Sequence, residues 1–255
     1  MKLLLLCLLY ACPLFAQELN ILYQKNYEGP CSSHEENLIG HVKMSIEKAN
    51  RLESKLTGHQ FRDVEASIQW RMDTIPNYHL LRDIVDIPYY HLINNLCNFA
   101  GASHLHVGLL AGDSFIAALF GNQALLKQQI GVEWFKECPE FIFYSNCNQY
   151  LDINDYQIIK GNCFKIDKSL IEAPIDIYFY DADHSLIAHE KALTYYNDVL
   201  ADVFIVVIDD WNCPWVRGPT FKAFKKLDYR ILYQATISKI DLEHGQYIAV
   251  IRKAK

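Results

Sequence analysis

The sequence predicts an α/β fold: a doubly wound, mostly parallel sheet with a terminal antiparallel pair and an N-terminal helical section. Three observations carry this. Ile175-Asp176-Ile177-Tyr178-Phe179-Tyr180 and Val203-Phe204-Ile205-Val206-Val207-Ile208 are apolar runs with little alternation. Strands buried on both faces read this way. A helical stretch over 186–200 separates them, as a parallel crossover requires. The chain has 255 residues, is 51% hydrophobic and holds 16 Tyr, 13 Phe and 4 Trp, enough for a sizeable core. That composition excludes a disordered or fibrous chain.

Residues 1–16 stand apart. Lys2 precedes about a dozen apolar residues that end at Ala16, before polar Gln17-Glu18. The pattern is that of a secretory signal or membrane anchor, too short for a comfortable span. A buried or interfacial helix is the other reading. Residues 17–100 are expected to form a helical cap region. Gly29-Pro30 breaks the chain, and Ser33 with Glu36 predicts a capping box. Leu38, Val42, Ile46, Ala49, Leu52 and Leu56 then recur at spacings of three and four, an amphipathic helix ending near Gly58. A second helical region is expected over 78–99, interrupted at Pro88.

The main domain is expected over 101–255. His104-Leu105-His106-Val107 is a short strand ending at Gly108. A helix over 113–120 and strands over 129–135 and 156–160 follow, then the two strong strands. Segments 229–237 and 247–251 form the closing pair, joined through Glu243-His244-Gly245. Ligands of such a sheet sit at the carboxyl ends of its strands.

The charge balance, 24 Lys and Arg against 30 Asp and Glu, argues against nucleic acid as a partner. Of eight cysteines, Cys7 and Cys12 lie in the leader. Cys31, Cys97, Cys138, Cys147, Cys163 and Cys213 show no CxxC spacing and read as core thiols.

Each strand end offers candidates. After the first comes Gly108-Leu109-Leu110-Ala111-Gly112-Asp113-Ser114. Its glycines allow close backbone approach, and Ser114 opens a helix whose N-terminus favours a polar ligand; an ordinary tight turn is the alternative. Glu133 is either an acceptor for a ribose diol or a solvated acid. Asp181, Asp183, Asp209 and Asp210 crowd the ends of two strands expected to be neighbours in the sheet, at 180–185 and 208–212. Crowded carboxylates repel unless a positive group sits among them, and hard oxygen ligands suit Mg²⁺ or a similar divalent cation. Asp183 and Ser185 also suit helix capping. Trp211 and Trp215 are either a substrate wall or packing residues.

Tyr-Asp-Ala-Asp-His-Ser at 180–185 and Asp-Asp-Trp-Asn at 209–212 carry a resemblance that runs from Tyr90 to Thr220. The sequence resembles class I S-adenosylmethionine-dependent methyltransferases. Among these it is similar to the metal-assisted O-methyltransferases of the macrocin-O-methyltransferase type. The resemblance implies a Rossmann-like methyltransferase domain that uses S-adenosyl-L-methionine. Asp181, Asp209 and Asp210 would bind Mg²⁺ or a similar cation, which lowers the pKa of an acceptor hydroxyl. Asp183 would be the general base. His106, Gly108, Gly112 and Ser114 would surround the methionine end of the cofactor, with Asp181 beside it. Glu133 would hold the ribose, Asn162 and Cys163 the adenine, and His184 would be a polar neighbour. The sequence departs from the family at His106, where the family has an acid.

The expected function is metal-assisted methyl transfer to a hydroxyl of a small molecule, a sugar or polyol. The rival is a catalytically inactive methyltransferase fold kept as a binding or scaffold protein, which His106 and the leader favour. A dinucleotide oxidoreductase would need a GxGxxG turn, and the third glycine is missing. The expected partners are a hydroxylated small molecule, no nucleic acid, a membrane only through residues 1–16, and a second copy through the helical section. Use of S-adenosylmethionine points to the cytoplasm; the leader points to export or anchoring.

Overall fold

Alternation along the strands creates two cores. In the computed structural model, which describes residues 20–57, 87–238 and 245–254, Ile177 and Phe179 face one side of the sheet. Tyr178 and Tyr180 face the other. Side chains alternate across a strand, so one apolar run serves both layers. The strands are β1 (Asn20–Asn26), β2 (Ser103–Val107), β3 (Gln128–Glu133), β4 (Gln157–Lys160), β5 (Ile175–Tyr180), β6 (Leu200–Ile208), β7 (Arg230–Ser238) and β8 (Gly245–Arg252). They form one sheet in the order β1-β7-β8-β6-β5-β2-β3-β4. Strands β2 to β6 are mutually parallel. Strand β8 runs antiparallel between β6 and β7, and β1 antiparallel beside β7.

Helices α1 (Ser33–Asn50), α2 (Ile87–Cys97), α3 (Asp113–Leu119) and α4 (Glu140–Cys147) bury apolar residues in the first core. Helices α5 (Leu186–Tyr196) and α6 (Pro214–Lys226) cover the second face. The doubly wound architecture is therefore present.

Several expectations need correction. The capping box is one residue earlier: Ser32 Oγ accepts from Glu35 N, and the Glu35 carboxylate accepts from Ser32 N. Glu35 also takes the Arg252 guanidinium, which holds its carboxyl down at about 2 and ties α1 to the end of β8. Helix α1 stops at Asn50, yet Leu56 beyond it is still buried. Pro88 does not interrupt α2. It lies in the first turn, where the missing N–H has no helical partner to lose. Residues 214–217 are the first turn of α6, with Pro214 opening it. Three elements were not expected: strand β1, helix α4 and helix α6. Strand β1 is held by β7, a pairing between segments more than 200 residues apart in sequence that local pattern does not reveal. Helix α4 has no side-chain cap to announce it. The leader at 1–16, the stretch 78–86 and the turn through His244 lie outside the described residues. Among the described residues Cys97, Cys138 and Cys147 are buried, while Cys31, Cys163 and Cys213 are partly buried.

Candidate active site

The sheet builds a level row of strand exits. Val107 pairs with Val132 and Tyr180, and Tyr180 pairs with Ile208. One residue later, each chain hangs on its neighbour's last carbonyl. Gly108 N donates to Val132 O (3.0 Å), Asp181 N to Val107 O (2.8 Å), Asp209 N to Tyr180 O (3.1 Å) and Gly161 N to Glu133 O (2.9 Å). Parallel register thus brings Gly108, Glu133, Asp181, Asp209 and the Gly161-Asn162 turn to one end of the sheet. The winding direction reverses between β2 and β5, the position where such sheets bind ligands.

The β2–β3 side of this row is closed on itself. Gly108 has φ +90°, and a Cβ there would lie 1.8 Å from the Asp181 carbonyl oxygen. The glycine admits the neighbouring strand exit. Glu133 is the centre of the loop. Its Oε2 accepts from Leu109 N (2.7 Å) and Leu110 N (3.0 Å), and its Oε1 from Trp134 N (2.7 Å) and Phe135 N (2.9 Å). Those four bonds match the acceptor capacity of a carboxylate. Two of the donors, Leu110 (φ +46°) and Phe135 (φ +56°), hold left-handed backbone that bulky residues rarely adopt. Glu133 therefore clamps two strained turns, and a ribose diol reaches it only by displacing backbone N–H groups.

His106 is a core residue and not an open ligand contact. It is fully buried with its ring centroid 4.1 Å from that of Phe179, and burial pushes its pKa well below the ordinary 6.5. Its Nε2 lies 3.3 Å from Ser114 Oγ, which is itself buried. Gly112 (φ +97°) precedes α3, a helix of only seven residues. Asn162 Oδ1 accepts from Phe164 N (2.9 Å), and the Cys163 carbonyl accepts from Tyr196 OH (2.6 Å). Burial raises the Cys163 thiol to about 11, so it stays neutral.

The β5–β6 side gathers ionisable groups. His184 stands between two carboxylates, its Nε2 3.6 Å from Asp181 Oδ1 and its Nδ1 3.5 Å from Asp210 Oδ2. Asp210 adopts φ +54°, a left-handed geometry that Asp tolerates. Asp209 is buried and accepts from Gln246 Nε2. Asp183 is exposed and shapes the entry to α5: its Oδ1 accepts from Ser185 N (2.8 Å), while Ser185 Oγ caps the helix through Ala188 N. Trp211 is packed against Tyr247, centroids 4.1 Å apart, and Trp215 is at the surface.

The expected metal trio does not fit a cation as placed. Among the described residues, no three of His, Cys, Asp and Glu form a group that could hold one ion. The His184 ring lies between Asp181 and Asp210, and Gln246 engages Asp209. The donor set does suit a sulfonium nucleoside. Carboxylates at the β5 and β6 ends offer a negative field for a cationic centre, while Glu133 is already engaged by four backbone N–H groups.

Two residues of this end were missed from sequence. Tyr89, in α2, is buried with its phenol pKa raised well above 10, first by burial and then by Asp209 and Asp181. It remains protonated. Gln246 comes from β8. Neither carries a local signal, because each is brought in from a distant segment. His189 lies behind His184, ring centroids 5.5 Å apart, and burial lowers it to about 4.

No protein-family model matches the sequence, and no curated protein does. Solved structures do. The O-methyltransferase from Bacillus cereus in complex with SAH superposes with TM-score 0.56 at 14% identity, over 86% of this chain and 100% of that one. The SAH-bound Podospora anserina methyltransferase PaMTH1 gives 0.56 at 13% identity, over 91% and 100%. Cofactor-bound Rv0187 from MTB gives 0.60 at 15% identity, over 78% and 94%. The chain spans about half the length of two further solved structures, 46% and 50%. With the strand order and the exit row, this likeness establishes the architecture: the chain has the fold of the class I S-adenosylmethionine-dependent methyltransferases.

Proposed function

We propose that the protein transfers a methyl group from S-adenosyl-L-methionine to a hydroxyl of a small polar molecule, a sugar or polyol. The observation that carries this is the meeting of Gly108, Asp181 and Asp209 at the β2/β5 reversal, in a fold shared with SAH-bound methyltransferases. When bound, the cofactor supplies an electrophilic methyl on a sulfonium. The residues of this chain then have separable tasks. Asp181 and Asp209 hold a negative field at the cationic end. His184 is placed to accept the acceptor's proton as the oxygen–methyl bond forms, and the imidazolium so produced lies between Asp181 and Asp210. Tyr89 keeps a neutral, buried phenol near Asp209 and Asp181. Asp183, the implied base, serves instead to set the turn that presents His184. No step is routed through a divalent cation, because the three implied ligands do not meet as a set.

One observation favours the rival, a binding protein without transfer. Every acceptor site of Glu133 is already filled by backbone N–H, and His106 offers no charge to the cofactor. Calorimetry with S-adenosylmethionine and SAH separates the readings. The enzyme reading expects micromolar binding of both, and loss of at least tenfold in turnover with little change in affinity for His184→Ala. Absence of binding by either molecule would sink it in favour of the rival.

A further inference from the structure

The end of the sheet that carries the site also carries large apolar side chains in water. Trp134 follows β3, Phe141 opens α4, Leu186 and Ile187 are the first two residues of α5, and Trp215 is the second of α6. They are 49%, 73%, 59%, 69% and 52% exposed. Among the described residues, the other exposed side chains of this kind are Ile153 and Leu170, on segments leading into the strands from the opposite end, with Ile21 and Tyr23 in β1, Met44 in α1 and Phe221 in α6. Exposed apolar groups concentrated on one end mark an interaction surface. Helices α5 and α6 lie side by side there, joined by Glu190 to Lys222 (2.7 Å) and Lys226 (3.6 Å), so two of the helix openings share one stretch of rim.

The register of β1 shows at which end of the sheet the chain enters it. Strands β6 and β7 both run antiparallel to β8, so β7 ends at the same end as β6. Asn20 pairs with Ser238, the last residue of β7. The chain ahead of β1 therefore joins the fold at the site end. That stretch contains Leu3 to Leu6, Leu8, Leu9, Leu14 and Phe15, with Lys2 the only charge before Glu18. Four residue steps separate Ala16 from Asn20, a reach of roughly 14 Å at most.

We propose that this end of the molecule docks on a lipid bilayer, with Leu186, Ile187 and Trp215 entering the interface beside the segment 3–16. Tryptophan and leucine at helix openings suit the boundary between headgroups and acyl chains. Among the described residues, no helix is long and apolar enough to cross a membrane, so the contact of the folded part is peripheral. Charge selects the mode of binding. The same end carries Asp181, Asp183, Asp209 and Asp210, and the chain's net charge is -6. Docking is by apolar insertion, and anionic headgroups do not strengthen it. None of this rests on methyl transfer.

Vesicle flotation of the full chain tests the proposal, using phosphatidylcholine vesicles and vesicles with one third phosphatidylglycerol. The full chain floats with phosphatidylcholine, insensitive to salt and no better with phosphatidylglycerol. Leu186→Ser, Ile187→Ser and Trp215→Ser combined lower the bound fraction roughly tenfold or more. Ile153→Ser with Leu170→Ser, at the other end, leave it unchanged. All five side chains are exposed, and an unchanged melting temperature confirms that the variants are folded. Three results overturn the proposal: no flotation of the full chain, equal flotation of the triple variant, or binding only to anionic vesicles that salt abolishes.

Discussion

The two sides of the strand-end row use similar residues for opposite ends. On the β2–β3 side, the glycine, the acid and the histidine are consumed by the fold. Gly108 accommodates a neighbouring carbonyl, Glu133 satisfies four backbone donors, and His106 lies in the core. On the β5–β6 side, Asp181, His184 and Asp210 face one another at a partly open surface. The contrast shows that a residue type at a strand end does not define its role. What decides is whether the backbone around it has unpaired donors. Strained loops at β2 and β3 demand a carboxylate to hold them; the capped entry of α5 does not.

The comparison can be pressed from the largest effect to the smallest. Acid strikes the buried histidines on both sides. Burial lowers His104 to about 3 and His91 and His189 to about 4. Each is neutral in the fold and takes a proton when unfolded, so its contribution is complete above about pH 6.5 and is lost as pH falls toward 4. The three together cost on the order of 5 kcal/mol by pH 5, visible as a falling urea midpoint. His104→Phe, whose ring nitrogens have no hydrogen-bond partner, removes its share of that slope without loss at pH 8.

Gly108→Ala comes next. Left-handed strain and the collision with Asp181 cost about 3 kcal/mol in urea unfolding. Glu133→Gln follows at about 2 kcal/mol, because an amide accepts two of the four N–H bonds and strands the other two. Across the row, Asp183→Asn keeps its turn acceptor and shifts stability by less than about 0.5 kcal/mol. If Glu133→Gln unfolded no more easily than Asp183→Asn, the distinction between the two sides would collapse.

Much of this was legible beforehand. Strands β5 and β6 announced themselves because burial on both faces forces unbroken apolar runs. Asp181 and Asp209 followed, since acids directly after such runs must emerge at a strand exit. Strand β1 stayed hidden because its short Asn-Ile-Leu-Tyr-Gln-Lys-Asn run is stabilised only by β7. Tyr89 and Gln246 stayed hidden for the same reason, arriving from α2 and β8.

The sequence by itself determined the fold class, the end of the sheet where chemistry would sit and the acids nearest to it. Periodicity and strand punctuation are local, and they leave marks in local pattern. Only the tertiary structure decided that Glu133 is saturated, that His106 is core, that His184 lies where a cation was expected, and that the chain enters at the site end. Each of these depends on which backbone donors and which strand ends meet, and such meetings are set by packing between segments far apart in the chain.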